Sequence, residues 1–77
     1  GFTPLLSAAG RGRASIVQYL LAAGANVTAA NMRNNTALHL AARKSSSAAL
    51  RSLLGRGARV NARNVLGETS LHVAAAS

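Results

Sequence analysis

The stretch Thr36-Ala37-Leu38-His39-Leu40-Ala41-Ala42 occurs three times in this chain in recognisable form. Moved back by 33 residues it reads Thr3-Pro4-Leu5-Leu6-Ser7-Ala8-Ala9, and moved forward by 33 it reads Thr69-Ser70-Leu71-His72-Val73-Ala74-Ala75. The Thr, the Leu two places later and the Ala-Ala pair keep their positions in all three copies. The same offset holds beyond the stretch: Leu20-Leu21 returns as Leu53-Leu54, Gly24-Ala25 as Gly57-Ala58, and Val27 as Val60. A fixed period of this length marks stacked supersecondary units, none of which buries its apolar face alone.

Each unit reads as two short helices and an excursion. Thr3 stands before Pro4, which suits the first position of a helix because that N–H has no intrahelical partner. The Thr hydroxyl can accept from the free N–H groups of the first turn. A helix is predicted from about Pro4 to Ala9, ended by Gly10-Arg11-Gly12-Arg13. A second runs from about Ser15 to Ala23, where Ile16, Val17, Leu20 and Leu21 share one face at spacings of three and four. Tyr19, within this helix, is assigned to the core. Gly24 follows where a helix end needs a left-handed residue. Residues 26–35 are polar and rich in Asn, which reads as an extended excursion and a turn. The second unit repeats the plan with helices at 37–42 and 47–54, Gly57 beyond the end, and an excursion at 60–67. The third begins at Thr69 and reaches Ser77, in or just past its first helix.

These residues resemble the ankyrin repeat family. The stretch from Thr36 to Ala42 is similar to the family signature of threonine, proline, leucine, histidine, any residue, alanine. Ile16 to Val27 resembles the family's second helix and exit loop, and Val60-Asn61-Ala62 the entry to the next turn. The resemblance spans the whole chain and implies an all-α repeat fold, a solenoid of helix-turn-helix units joined by extended turn or hairpin loops. The units fall at about 1–33, 34–66 and, in part, 67–77. There are departures. Leu6 stands where His is usual, Ala37 and Ser70 where Pro is usual, Ser45-Ser46 replaces the Gly-His of the inter-helix turn, and Arg59 replaces a common acid. A looser turn is therefore expected at residues 44–47. Just over two units are present where about three are needed for stability, so the chain is expected to be part of a longer array. Neither end reads as the polar cap that terminal repeats need.

Composition narrows the chemistry. Apolar residues make up 49% of the 77, but aromatic residues only 3%, so alanine and leucine must build the core. The absence of cysteine excludes disulfides and thiolate metal sites. Residues 14–32 carry no charge, and their length approaches that of a bilayer span. They include Gln18, Gly24, Asn26, Thr28 and Asn31, and read as a helix plus a loop. Nine Lys and Arg residues face a single acid, Glu68, for a net charge of +8, which attracts anionic partners.

Catalysis needs a positioned acid, base or nucleophile. Glu68 is the only carboxylate side chain and lies in a predicted turn. His39 and His72 hold the same place in adjacent units, and a metal would need further carboxylate or thiolate ligands. The resemblance instead implies that this His braces the turn through backbone hydrogen bonds. The glycines at 10–13 and 55–57 lack phosphate-loop spacing and read as helix ends. Arg43-Lys44-Ser45-Ser46-Ser47 faintly resembles a basophilic kinase target but reads as an exposed turn. No enzymatic activity, cofactor, metal or small-molecule substrate is expected.

In the family that the chain resembles, partners bind the turn tips and the exposed side of the first helices. Carried over by position, this implicates Met32, Arg33 and Asn35 on the first tip, and Val65 and Leu66, beside Glu68, on the second. Arg63 leads into that second tip, Arg11, Arg43 and Lys44 end first helices, and Arg56 ends a second helix. The expected function is a protein–protein interaction scaffold whose basic concave face and tips take a partner with acidic and apolar groups. The alternative is a structural subunit of a ribonucleoprotein, in which Arg residues contact RNA phosphates and affinity falls steeply with salt. Only Phe2 and Tyr19 are available for base stacking, which counts against that alternative. An intracellular place is expected, cytoplasmic or nuclear, with an organelle as the other option.

Overall fold

The computed structural model describes residues 3–76. Their helices are α1 (Pro4–Gly10), α2 (Ala14–Ala22), α3 (Ala37–Arg43), α4 (Ser47–Gly55) and α5 (Ser70–Ala76). Among the described residues the only β pairing is an isolated antiparallel bridge between Ala30 and Thr36. Phe2, considered above for base stacking, lies outside the described residues.

The helices begin where capping chemistry places them. The Thr3 hydroxyl accepts the Leu6 N–H at 3.2 Å, with Pro4 in the first turn. At α3 the bond is reciprocal: Thr36 Oγ1 accepts the His39 N–H, and His39 Nδ1 accepts the Thr36 N–H at 3.1 Å. His39 thus does the work that Glu or Gln does in a capping box. The outer helices end on glycine. Gly24 and Gly57 adopt φ of 93° and 85°, and the next N–H returns to the last turn: Ala25 to Leu20, Ala58 to Leu53.

Packing forms two layers. In the inner layer α3 lies between α1 and α5, while in the outer layer α2 packs on α4. Each outer helix also packs against the inner helix before it, α2 on α1 and α4 on α3. The core between the layers is Leu5, Leu6, Val17, Leu21, Leu38 and Leu53, closed by the small side chains of Ala9, Ala37, Ala41 and Ala49. Alanine at these contacts lets helices approach closely, so a core with almost no aromatic residues still fills its volume.

Two expectations are corrected here. Tyr19 is not in the core; it is 73% exposed. Val17 and Leu21 define the inward line of α2. A residue two places along is turned by about 200° at 3.6 residues per turn, to the opposite side. The inter-helix turn at residues 44–47 is no looser than its counterpart. Ser45 N–H donates to Ala42 at 3.0 Å and Ser46 N–H to Ala41 at 3.1 Å, matching Gly12 to Ala9 and Arg13 to Ala8. Ser45 takes the left-handed φ of 56° where Gly12 has 68°. Ser46 also accepts the Ala49 N–H on its hydroxyl, while Arg13, its counterpart, makes no side-chain cap.

Candidate partner-binding face

Each excursion is a hairpin frame built on one asparagine. Asn31 Oδ1 accepts the N–H groups of Arg33 and Asn35, both at 3.0 Å. The Asn31 N–H donates to the Asn35 carbonyl, and Asn34 N–H returns to the Asn31 carbonyl at 2.9 Å. Asn34 closes the turn with a left-handed φ of 61°, a conformation Asn tolerates better than most residues. One unit on, Asn64 Oδ1 accepts the Leu66 and Glu68 N–H groups, and Gly67 N–H returns to the Asn64 carbonyl. The residues between are pushed outward. Met32 is 91% exposed, Leu66 78%, and Val65 and Arg33 are also exposed.

The two frames are joined. Val65 N–H donates to the Arg33 carbonyl at 3.0 Å, and Asn34 Nδ2 to the Arg63 carbonyl at 3.0 Å. Asn64 Nδ2 bridges Asn35 Oδ1 at 2.9 Å and Glu68 Oε1 at 3.0 Å. Below them, His39 Nε2 lies 2.8 Å from the Glu68 carbonyl oxygen. Nδ1 accepts from Thr36, which assigns the proton to Nε2 and makes it the donor. The tips 32–33 and 65–66 therefore project side by side from one bonded base.

Asn35, expected at the contact surface, is not available there. It is 4% exposed, because its carbonyl closes the frame of Asn31 and its side chain receives Asn64. The other expected residues are exposed: Arg11, Met32, Arg33, Arg43, Lys44, Arg56, Arg63, Val65 and Leu66. Arg63 spends one arm of its guanidinium on the Gly67 carbonyl at 2.7 Å. Lys44 lies over the neighbouring turn, where a Cβ on Gly12 would meet its Cγ at 3.2 Å.

Topology sorts eight of the nine cations into two groups, Arg51 lying midway along α4. Each inner helix runs from the hairpin end to the turn end, and each outer helix runs back. Arg11, Arg43 and Lys44 therefore sit at the turn end, joined there by Arg13. Arg33, Arg56 and Arg63 sit at the hairpin end, with Arg59 close by in the loop. A seven-residue helix, about 10 Å long, separates the ends. Between them on the inner layer runs a groove lined by Pro4, Leu6, Ser7 and Leu40, with Arg11 and Arg43 at one end. Leu6 and Leu40 are buried beneath it, 0% and 8% exposed, so Pro4, Ser7, Arg11 and Arg43 supply most of its open wall.

Among the described residues no three His, Cys, Asp or Glu side chains gather as metal ligands. No helix among them is long and apolar enough to cross a membrane; the charge-free run at 14–32 divides into α2 and the first hairpin.

Inner and outer helices in register, with hairpins projecting from one side, define a helix-turn-helix repeat solenoid. The family model described as ankyrin repeats (3 copies) matches residues 1–64, and the chain belongs to the ankyrin repeat family. Among solved structures, the crystal structure of the human ASB11 ankyrin repeat domain is similar, with 36% identity and a TM-score of 0.91. That match covers 95% of this chain and 33% of the other, so the chain spans about a third of the ASB11 domain. No curated protein matches. Ankyrin repeats are in general protein–protein interaction modules.

Proposed function

We propose that this chain is a protein-binding scaffold whose partner lies across the hairpin tips and the inner-helix groove. One observation carries the reading: Met32, Val65 and Leu66 are held in the open on a hydrogen-bonded base. A backbone already held in place spares a partner the cost of ordering the loop, so the apolar side chains it displays can serve as an interface core. The cations give the partner a direction. Its apolar groups meet the tips, and its acidic groups reach Arg11 and Arg43 at the far end of the groove.

Ribonucleoprotein assembly is the competing reading, and the exposure of all nine basic side chains is what favours it. Tyr19, the one described aromatic, lies on the outer layer, away from the groove and tips. This leaves the proposed face without a stacking platform, so phosphate contact would have to act alone.

A photo-crosslinker at position 66 and another at position 43 test the reading in lysate, with and without nuclease, across a salt series. Protein captured at both positions, resistant to nuclease and to moderate salt, supports a scaffold. Nucleic acid captured with a steep salt slope overturns it.

A further inference from the structure

The loops that follow α2 and α4 enclose a cleft of about 540 Å³, with Val27 and Thr28 on one side and Arg59, Asn61, Ala62 and Arg63 on the other. It shares no lining residue with the inner-layer groove. Its two cations are additions to the repeat. One unit earlier, Asn26 stands in the place of Arg59 and Ala30 in the place of Arg63, both uncharged. Asn26 has local work: its Oδ1 accepts the Thr28 N–H at 3.0 Å and the Thr28 hydroxyl at 2.7 Å. A guanidinium has no acceptor to offer, so the second loop gives up that turn and gains a charge. Nothing acidic offsets it. Glu68, the only acid of the chain, does not line the cleft and accepts from Asn64 instead. Two cations in one cleft repel each other, and an anion between them relieves the repulsion. We propose that this cleft binds a phosphate monoester, its phosphoryl oxygens held by Arg59 and Arg63.

The chemistry of the lining selects that ligand. A guanidinium presents a planar fork of N–H donors that matches two oxygens of one phosphoryl group. Arg63 is already tied in place. Its Nη1 donates to the Gly67 carbonyl at 2.7 Å, and its own carbonyl accepts from Asn34 Nδ2 at 3.0 Å. A side chain tied in this way loses less freedom on binding, and its other N–H groups are left for the ligand. The exposed Asn61 adds an amide donor. Val27 and Ala62 are half-buried in the same cleft. They favour an ester over the bare ion, because the carbon beside the phosphate has apolar surface to cover. Arg59 has no part in the partner reading, so a test made through Arg59 fails or succeeds independently of it.

The test titrates the chain at low ionic strength, where screening is weak, and follows its backbone amide resonances. The probes are a short phosphoserine peptide and glucose 6-phosphate, with the unphosphorylated peptide and glucose as blanks. Shifts should saturate and gather at residues 27–28, 34 and 59–63. Arg59→Asn installs the residue of the first unit, so Tm should not fall, while binding should weaken about five- to tenfold. Arg51→Gln is the matched control. It also installs its first-unit counterpart, Gln18, and removes the same charge, but from the middle of α4, and it should leave the affinity nearly unchanged. Tighter binding of the peptide supports the site with a phosphorylated protein as the carrier; tighter binding of the sugar phosphate supports it with a free small ester. Equal weakening by the two substitutions, shifts spread over all the basic residues, or failure of both probes to bind above their blanks overturns the proposal.

Discussion

The imidazole Nε2 of His39 lies 2.8 Å from the carbonyl oxygen of Glu68, so a side chain of the second unit holds the entry to the third. His72 repeats the near half of this arrangement: its Nδ1 accepts the Thr69 N–H at 3.2 Å, and its own N–H donates to the Thr69 hydroxyl. Yet His39 is 1% exposed while His72 is exposed. Two histidines with one role in sequence therefore carry different burdens.

His39→Ala should lower stability by about 2–4 kcal/mol, because it removes a packed ring and strands the Thr36 N–H and the Glu68 carbonyl. His72→Ala should cost about 1 kcal/mol or less, the loss of a helix-start bond in contact with water. Urea denaturation of the two variants compares them directly; equal losses would refute the interunit role of His39.

Gly12 is constrained twice. Its φ of 68° is left-handed, and an added Cβ would stand 3.2 Å from Lys44 Cγ. Gly12→Ala should cost about 1–2 kcal/mol, mostly from the backbone. Adding Lys44→Ala should recover only a small part, since a flexible stem can move aside; thermal melts of single and double variants measure the split.

The outer helices differ at the residue just before their first turn. Ser46 caps α4 through Ala49, whereas Arg13 before α2 has no capping bond. Arg13→Ser should therefore raise stability by roughly 0.5–1 kcal/mol, and Ser46→Ala should lower it by a similar amount. A shift of Tm in the same direction for both variants would show that capping does not govern these turns.

Met32 and Leu66 make few demands on the fold. Met32→Ala and Leu66→Ala should each change stability by less than about 0.5 kcal/mol. Under the scaffold reading, each should weaken partner binding by about 1–2 kcal/mol, on the scale of a tenfold change in Kd. Calorimetry with the captured partner would read this, and unchanged affinity in both would move the contact away from the tips.

Much of the molecule was legible in the chain alone. The 33-residue offset, the Thr and Pro at helix starts and the glycines at helix ends placed the first four helices to within about one residue and the start of the fifth, because caps and periodicity act over a single turn. The tip positions came from the family resemblance, carried over by place in the repeat. Exposure was not legible, because in a solenoid it depends on what the neighbouring unit covers. Asn35 looked like a tip residue until Asn64 of the next unit was seen to donate to it. Tyr19 looked like core because its neighbours are apolar, and only the packing direction of α2 turned it outward. The repeat, its helices and the excess of positive charge follow from the order of residues along the chain. Stacking alone decided burial: Leu38 and Leu71 are equivalent in the repeat, yet one is buried and the other open, and Tyr19 faces outward. Those properties belong to the stacking of units, a contact between residues far apart in the chain.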